Sequence, residues 1–188
     1  TYRDFHSQTG APHGLFHNAQ WPDHLVQLYS FSKAYRLTGH RVGAVVADAG
    51  LLREIEKFLD TVTICPTPLG QQAALWGMTH LQSWLAEERA EVLARRAAIE
   101  SGFAPLTAKG WRLLGCGAYF AYVEHPFDMD ADTLGQRLVR KAGILALPAT
   151  MFTPEGDKAG RRQLRIAFAN IDCATIAQMF DRLSAFEG

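Results

Sequence analysis

The sequence has few of the features that mark a secreted, membrane-bound or nucleic-acid-binding protein. Its three cysteines, Cys65, Cys116 and Cys173, are an odd number far apart, which gives neither a disulfide framework nor metal-ligand spacing. Basic and acidic residues number 19 each, so the formal net charge is zero and no basic run favours nucleic acid or an anionic membrane. No apolar run approaches the ~18–20 residues of a membrane span. These absences predict a cytoplasmic protein with reduced thiols and no metal requirement.

Other expected elements are also missing. The sequence contains no glycine-rich, helix-opening phosphate cradle, no internal repeat, no signal peptide and no methionine at position 1. A hydrophobic content of 48% over 188 residues is enough for one sizeable core or two small ones. Predicted strands and helices alternate in the first part and a smaller mixed unit follows, which indicates the α/β class.

Residues 30–43 form the most informative stretch of the chain. Apolar runs precede and follow it, at residues 25–29 and 42–47, and each predicts a short buried strand. Lys33 is therefore expected at the end of a strand rather than on a solvated helix. A lysine that is partly desolvated and close to another cation has a lowered pKa, so it can act as a nucleophile near neutral pH.

The same stretch contains groups that suit a phosphate. Ser30 and Ser32 offer hydroxyl donors, and Arg41 offers a planar guanidinium. The Ser-x-x-Lys spacing also fits penicillin-binding enzymes, in which the serine is the nucleophile. That alternative requires a later Lys-Thr-Gly, and the nearest triplets here are Lys-Ala-Gly at residues 141–143 and 158–160. The sequence excludes it on this ground.

The pattern Ser-x-Ser-Lys, followed by Gly-x-Arg-x-Gly at residues 39–43, closely resembles the cofactor-lysine segment of class I/II aminotransferases. These are fold-type-I enzymes that use pyridoxal 5'-phosphate. The resemblance implies that Lys33 forms the Schiff base with the cofactor. It also implies that Ser30 and Arg41 bind the cofactor phosphate and that Ser32 assists them.

Two more positions agree with this resemblance. Tyr2 stands where the family has the tyrosine that hydrogen-bonds the cofactor's phenolic oxygen, and the family's aspartate would lie before residue 1. Residues 163–170 alternate as a strand does and place Arg165 among apolar neighbours. The resemblance implies that Arg165 binds the substrate α-carboxylate with both arms of its guanidinium. A structural ion pair is the alternative for an arginine in such surroundings.

The resemblance covers the whole chain but only the C-terminal half of the family's enzymes. We therefore expect the C-terminal part of a pyridoxal-phosphate-dependent transferase fold, inactive by itself. Residues 1–100 would be the C-terminal part of the large α/β/α cofactor-binding domain with the interdomain helix. Residues 101–188 would be the small α+β domain. Family enzymes are typically homodimers, and a homodimer is expected here.

The activity that the resemblance implies is transfer of an amino group from an L-amino acid to a 2-oxo acid. Two alternatives stay open: a pyridoxal-phosphate-dependent lyase or synthase on the same scaffold, and the effector-binding domain of a transcription regulator. Dicarboxylate-specific relatives have a second arginine near residues 61–68. The absence of arginine there disfavours aspartate or glutamate as the dedicated donor.

Hydrophobic periodicity and turn residues predict the remaining elements. The expected helices and strands are a helix at 50–59, a strand-like run at 61–68, a kinked helical region at 69–100, strands at 111–114 and 119–123 around a turn at 115–117, a helix ending at Ala142, a strand at 144–147 and a last helix at 173–186.

Overall fold

A computed structural model describes residues 1–8 and 10–188 of the chain. It divides into two compact units, Thr1–Arg89 and Ala90–Gly188. The first unit contains a two-stranded sheet and the second a four-stranded sheet. The expected functional roles of the two parts stay predictions.

The first unit is built around an antiparallel strand pair. Strand β1 (Gln27–Ser30) pairs with β2 (Gly43–Val46) along their full lengths, with Ser30 opposite Gly43. Helices precede, separate and follow these two strands along the chain. They are α1 (Trp21–His24), α2 (Phe31–Ala34), α3 (Ala49–Val62) and α4 (Pro68–His80), and a further helix, α5 (Gln82–Gly102), begins in this unit and ends in the second.

Side-chain caps determine where α3 and α4 begin. The Asp48 carboxylate accepts hydrogen bonds from the backbone N–H groups of Gly50 and Leu51 and so starts α3. Thr67 caps α4 in the same way, and Pro68 stands at the first helical position, where no N–H is needed. The predicted strand at 61–68 is therefore wrong, because this segment is the end of α3, a turn and the α4 cap. The predicted kinked helical region is confirmed as α4 and α5, which break at Leu81.

The prediction that β1 and β2 are buried is also wrong. Leu28 is 67% exposed and Val45 is 37% exposed. A small buried cluster in this unit is composed of Phe31 of α2, Val42 directly before β2 and Ala74 of α4. An apolar run predicts a strand correctly here, but whether a second layer covers that strand depends on distant parts of the chain.

The second unit is a four-stranded antiparallel sheet with helices packed on it. The strand order is β3-β4-β6-β5. The strands are β3 (Arg112–Gly117), β4 (Phe120–Glu124), β5 (Leu147–Pro148) and β6 (Gln163–Ala167), and the helices are α6 (Ala104–Thr107), α7 (Ala131–Arg137), which continues as a π-helical turn over Leu138–Ala142, and α8 (Cys173–Ala185).

One face of this sheet forms the core of the unit. Along β6, Leu164 and Ile166 are buried, whereas Arg165 between them lies on the opposite face, half-buried. The helices contribute a matching set of buried apolar side chains, which are Leu134, Leu138, Ile176, Phe180 and Leu183. The mixed α+β character predicted for this part of the chain follows from that packing.

The hairpin between β3 and β4 turns later than the sequence predicted. Strand β3 runs through the Gly115–Gly117 stretch, and the turn falls at Ala118 and Tyr119, with Ala118 at a φ of 50°. A bulge between Leu113 and Gly115 shifts the register. Gly115 and Gly117 therefore lie within the bulged strand and not in the turn. The predicted strand at 144–147 is also displaced, since β5 is the short pair Leu147–Pro148.

His125 is a buried histidine in this second unit. Its side chain is 1% exposed, and neither ring nitrogen has a hydrogen-bond partner of normal geometry among the described residues. The ring stacks on Phe127 and meets Trp111 edge to face. Burial, and then the positive charge of Arg162, lower the pKa of His125 below its ordinary value of 6.5. The backbone of Arg161 and the carboxylates of Glu124 and Asp130 offset part of this shift.

The buried His125 predicts a pH-dependent stability. A folded-state pKa below the unfolded value means that the unfolded chain binds more protons as the pH falls below about 6.5. The free energy of unfolding should therefore be highest above pH 6.5 and fall towards pH 5.5, with a slope of at most about 1.4 kcal/mol per pH unit from this group. Urea unfolding at pH 5.5, 6.5 and 7.5 measures it. His125→Phe should flatten the profile, and an unchanged slope in that variant would contradict the assignment.

Candidate active site

The segment that carries Lys33 begins at the end of β1. Ser30 caps the single-turn helix α2, because its Oγ accepts a hydrogen bond from the Ser32 backbone N–H at 3.3 Å. Lys33 lies in this turn and is half-buried. Its ammonium makes no hydrogen bond and no ion pair within the described residues. Lys33 is thus on a helical turn directly after the strand, with an amine that no group of residues 1–8 and 10–188 binds.

The pairing of β1 with β2 brings the second half of the motif next to the first. The Phe31 N–H donates to the Val42 carbonyl at 3.3 Å, and Ser30 pairs with Gly43. A Cβ at Gly43 would lie 2.7 Å from the Tyr29 carbonyl oxygen, so only glycine allows this close strand approach. Arg41 precedes it in the left-handed region, with φ 49° and ψ 45°. The two ends of the motif meet because of this pairing.

Thr38 connects the two ends and was not singled out by the sequence reasoning. Its hydroxyl donates to the Ser32 carbonyl at 3.0 Å, and its own carbonyl accepts from Arg41 Nη1 at 2.7 Å. Ser32 and Arg41 are thereby linked through one residue. The only available signal was a hydroxyl side chain between the lysine and the Gly-x-Arg-x-Gly segment.

Tyr2 lies at the start of the same unit, next to a short turn that contacts Tyr29. It is half-buried and directly precedes a 3-10 turn over Arg3–Phe5. Asp4 in that turn accepts a hydrogen bond of 2.8 Å from the Tyr29 hydroxyl. Burial, and then the hydrogen bond to Asp4, raise the pKa of Tyr29 far above its ordinary value of 10, so Tyr29 stays a neutral donor. The contact between Asp4 and Tyr29 was also missed from sequence.

In the second unit, Arg165 contacts two aromatic rings. Its guanidinium carbon is 3.8 Å from the centre of the Phe152 ring and 4.4 Å from that of Phe120. No carboxylate of the described residues pairs with Arg165, so the structural ion pair considered above is not formed there. The guanidinium is a half-buried cation whose protein neighbours are π faces.

Arg165 also lines a cavity of about 330 Å³ in the second unit. The cavity lies beside β6 and α8, and both polar and apolar groups line it. Among its lining residues are Ile144, Arg165, Asn170, Gln178, Met179 and Arg182. Such a mixture suits a small ligand that has an anionic end and an apolar part.

Two other features are absent from the described residues. No group of three or more His, Cys, Asp or Glu side chains among them is placed to hold a metal ion. None of the helices in the described ranges is long and apolar enough to cross a membrane.

Comparison with solved structures defines the fold. The chain superposes on an aminotransferase from Staphylococcus aureus with a TM-score of 0.83 and 23% sequence identity, covering 98% of this chain and 47% of that one. It superposes equally well on YbdL of Escherichia coli, for which a methionine aminotransferase function has been identified, with a TM-score of 0.83 and 21% identity. The prediction of the C-terminal part of a pyridoxal-phosphate-dependent transferase fold is confirmed.

Comparison of sequences gives the family. Residues 1–183 match the profile of "Aminotransferase class I and II", and the chain belongs to this family. It is 26% identical over 165 residues to an aromatic aminotransferase of Arabidopsis thaliana and 21% identical over 188 residues to an aspartate aminotransferase of Sulfolobus acidocaldarius. It covers 39% and 46% of those proteins, so it spans less than half the length of these relatives.

Proposed function

We propose that the protein containing this chain is a pyridoxal-phosphate-dependent aminotransferase that moves an amino group from an L-amino acid to a 2-oxo acid. One observation carries the proposal beyond family membership. Lys33 presents a half-buried amine with no partner among the described residues, next to the hydroxyl and guanidinium groups that the β1–β2 register brings together. An amine in such a place is available to a ligand rather than committed to the fold.

The donors around Lys33 suit the cofactor. Ser30, Ser32 and Arg41 supply hydroxyl and guanidinium donors, the chemistry that a phosphate group requires. Arg41 uses Nη1 on the Thr38 carbonyl, which fixes the guanidinium and leaves its other N–H groups for an anion. We assign the phosphate to these three residues and the phenolic oxygen to Tyr2. When bound, the cofactor supplies an electron sink for charge that develops at the substrate Cα.

Lys33 is assigned the proton transfers. Its Nζ, when neutral, accepts the proton from the substrate Cα, and it later returns that proton during the same turnover. A base tethered by its own backbone does not have to be recruited from solvent, which makes the step effectively intramolecular. The capped turn over Phe31–Ala34 determines where that tether starts.

Arg165 is assigned the substrate α-carboxylate. A guanidinium presents paired N–H groups along one edge, which match the two oxygens of a carboxylate. The absence of a carboxylate partner within the described part of the chain leaves that edge available. This assignment does not depend on which amino acid is the donor, since all carry the same carboxylate. The lack of arginine in residues 61–68 favours neutral or aromatic donors over dicarboxylic ones.

We also propose a homodimer in the cytoplasm. Helix α3 supports the dimer, because it is strongly amphipathic and yet buries none of its side chains. Its exposed apolar residues are Leu51, Phe58, Leu59 and Val62. A surface of this kind normally contacts another polypeptide segment. The three free cysteines agree with a reducing compartment.

Covalent trapping tests the proposal. The complete protein is incubated with pyridoxal 5'-phosphate, reduced with borohydride, digested and analysed by mass spectrometry. We expect the reduced cofactor on the peptide that contains Lys33. Lys33→Arg should lose the adduct, whereas the matched control Lys57→Arg, at an exposed lysine of the same unit, should keep it. Labelling spread over other lysines, with Lys33 unmodified, would contradict the proposal.

A further inference from the structure

We infer that Phe152 and Phe120 are positioning residues for the carboxylate-binding arginine, whose guanidinium lies over the faces of both rings. This inference rests on the proposed function of Arg165. Both rings lie against the guanidinium, at 3.8 Å for Phe152 and 4.4 Å for Phe120. We call this arrangement the arginine clamp. Contact with a ring face is favourable for a cation, and more so where water is excluded.

The geometry of a guanidinium explains what the clamp accomplishes. Its N–H bonds all lie in one plane, so a ring that packs against its flat face leaves the edges free for hydrogen bonds. A carboxylate binds in that plane through two parallel hydrogen bonds. By orienting the guanidinium, the two rings therefore determine the plane in which the substrate carboxylate must lie. They also reduce the side-chain freedom that Arg165 would otherwise lose on binding.

The Phe120 side of the clamp comes from the sheet. Tyr122 of β4 pairs directly with Arg165 of β6, and Phe120 pairs with Ala167. Phe120 is thus the diagonal neighbour of Arg165 on the same face, a distance that an aromatic side chain can span. Strand register alone places this ring.

The Phe152 side comes from an anchored turn. The residue ends a 3-10 turn over Ala149–Met151, and its N–H donates to the Ala149 carbonyl at 2.8 Å. The Thr150 hydroxyl donates to both carboxylate oxygens of Asp132 at the start of α7, at 3.0 and 3.2 Å. Phe152 is nevertheless 45% exposed, which is more than a ring serving only the core would be. A ring fixed by its backbone, exposed and stacked on a cation is better explained by the site than by packing.

The test compares variants of Phe152 in the complete protein loaded with pyridoxal 5'-phosphate. Phe152→Leu keeps the apolar bulk and removes the π face, whereas Phe152→Tyr keeps it; Met151→Leu, at the exposed neighbouring residue, is the matched control. We expect Phe152→Leu to raise KM for an amino acid about tenfold with little change in kcat. Phe152→Tyr and Met151→Leu should stay near wild type. Unchanged kinetics in Phe152→Leu would overturn the clamp.

A double-mutant cycle separates positioning from direct substrate contact. If Phe152 acts through Arg165, then Phe152→Leu should have little further effect in an Arg165→Leu background. An equal effect in both backgrounds would mean that the ring contacts the substrate itself, which would also overturn the inference.

A readout without turnover keeps the test separate from the proposed function. The protein is labelled with ¹⁵N-arginine. Contact of the guanidinium with the ring faces should shift the Arg165 Nε–H proton resonance upfield, and Phe152→Leu should remove that shift. If the protein shows no aminotransferase activity but the shift is present and is lost in the variant, the clamp stands and the proposed function fails. If the wild-type protein shows no upfield shift, the clamp itself is wrong.

Discussion

Replacing Lys33 by alanine in the complete protein is expected to lower kcat for transamination by at least about 10³-fold. The variant loses the amine that is proposed to bond the cofactor, and with it the tethered base for the Cα proton. The loss should appear mainly in kcat, because the phosphate donors Ser30, Ser32 and Arg41 remain and still hold the cofactor. Steady-state kinetics with saturating cofactor, together with the bound-cofactor content of each preparation, measure both quantities.

Two further variants make the Lys33 prediction specific. Lys33→Arg keeps the positive charge and removes the nucleophile and the base, so it should be as inactive as the alanine variant. Lys57→Ala removes an exposed lysine that pairs with Glu54 on α3, and it should change kcat by less than about twofold. Activity of Lys33→Arg within tenfold of wild type would show that Lys33 contributes only charge.

Arg165→Leu is expected to have the second-largest effect, a loss of about 10² to 10³-fold in kcat/KM. The variant leaves a substrate carboxylate without its two hydrogen-bond donors, beside the rings of Phe152 and Phe120. Arg165→Lys should recover only part of the loss, because an ammonium cannot form the paired contact and stacks less well on flat rings. Kinetics with one amino acid across the three proteins measure the effect.

A substrate without the carboxylate provides the control for Arg165. If the guanidinium binds the α-carboxylate, the corresponding primary amine should react equally slowly with wild type and Arg165→Leu. Arg161→Leu, at an exposed arginine four residues earlier, should leave both substrates unaffected. An equal loss for the amino acid and the amine would show that Arg165 supports the fold instead of the carboxylate.

Local chemistry made parts of this protein predictable. The helix starts at Asp48 and Thr67 follow from caps and from Pro68, and the end of the π-helical turn at Gly143 follows from its left-handed backbone, with φ 65°. The strand containing Arg165 was expected from its alternating pattern and is observed as β6. The strand predicted at 61–68 was wrong. The β-branched residues there favour a strand, but the prolines and the Thr67 cap have the stronger effect and start a helix instead.

The sequence by itself determined the family, the lysine segment and the arginine strand, because those signals depend on residue type and short spacing. Only the tertiary structure decided that Thr38 links Ser32 to Arg41 and that two aromatic rings contact the guanidinium of Arg165. It also decided that β1 and β2 are exposed within this chain. These contacts depend on strand register and on anchored turns that bring together residues distant in sequence, and periodicity contains no information about which element faces another.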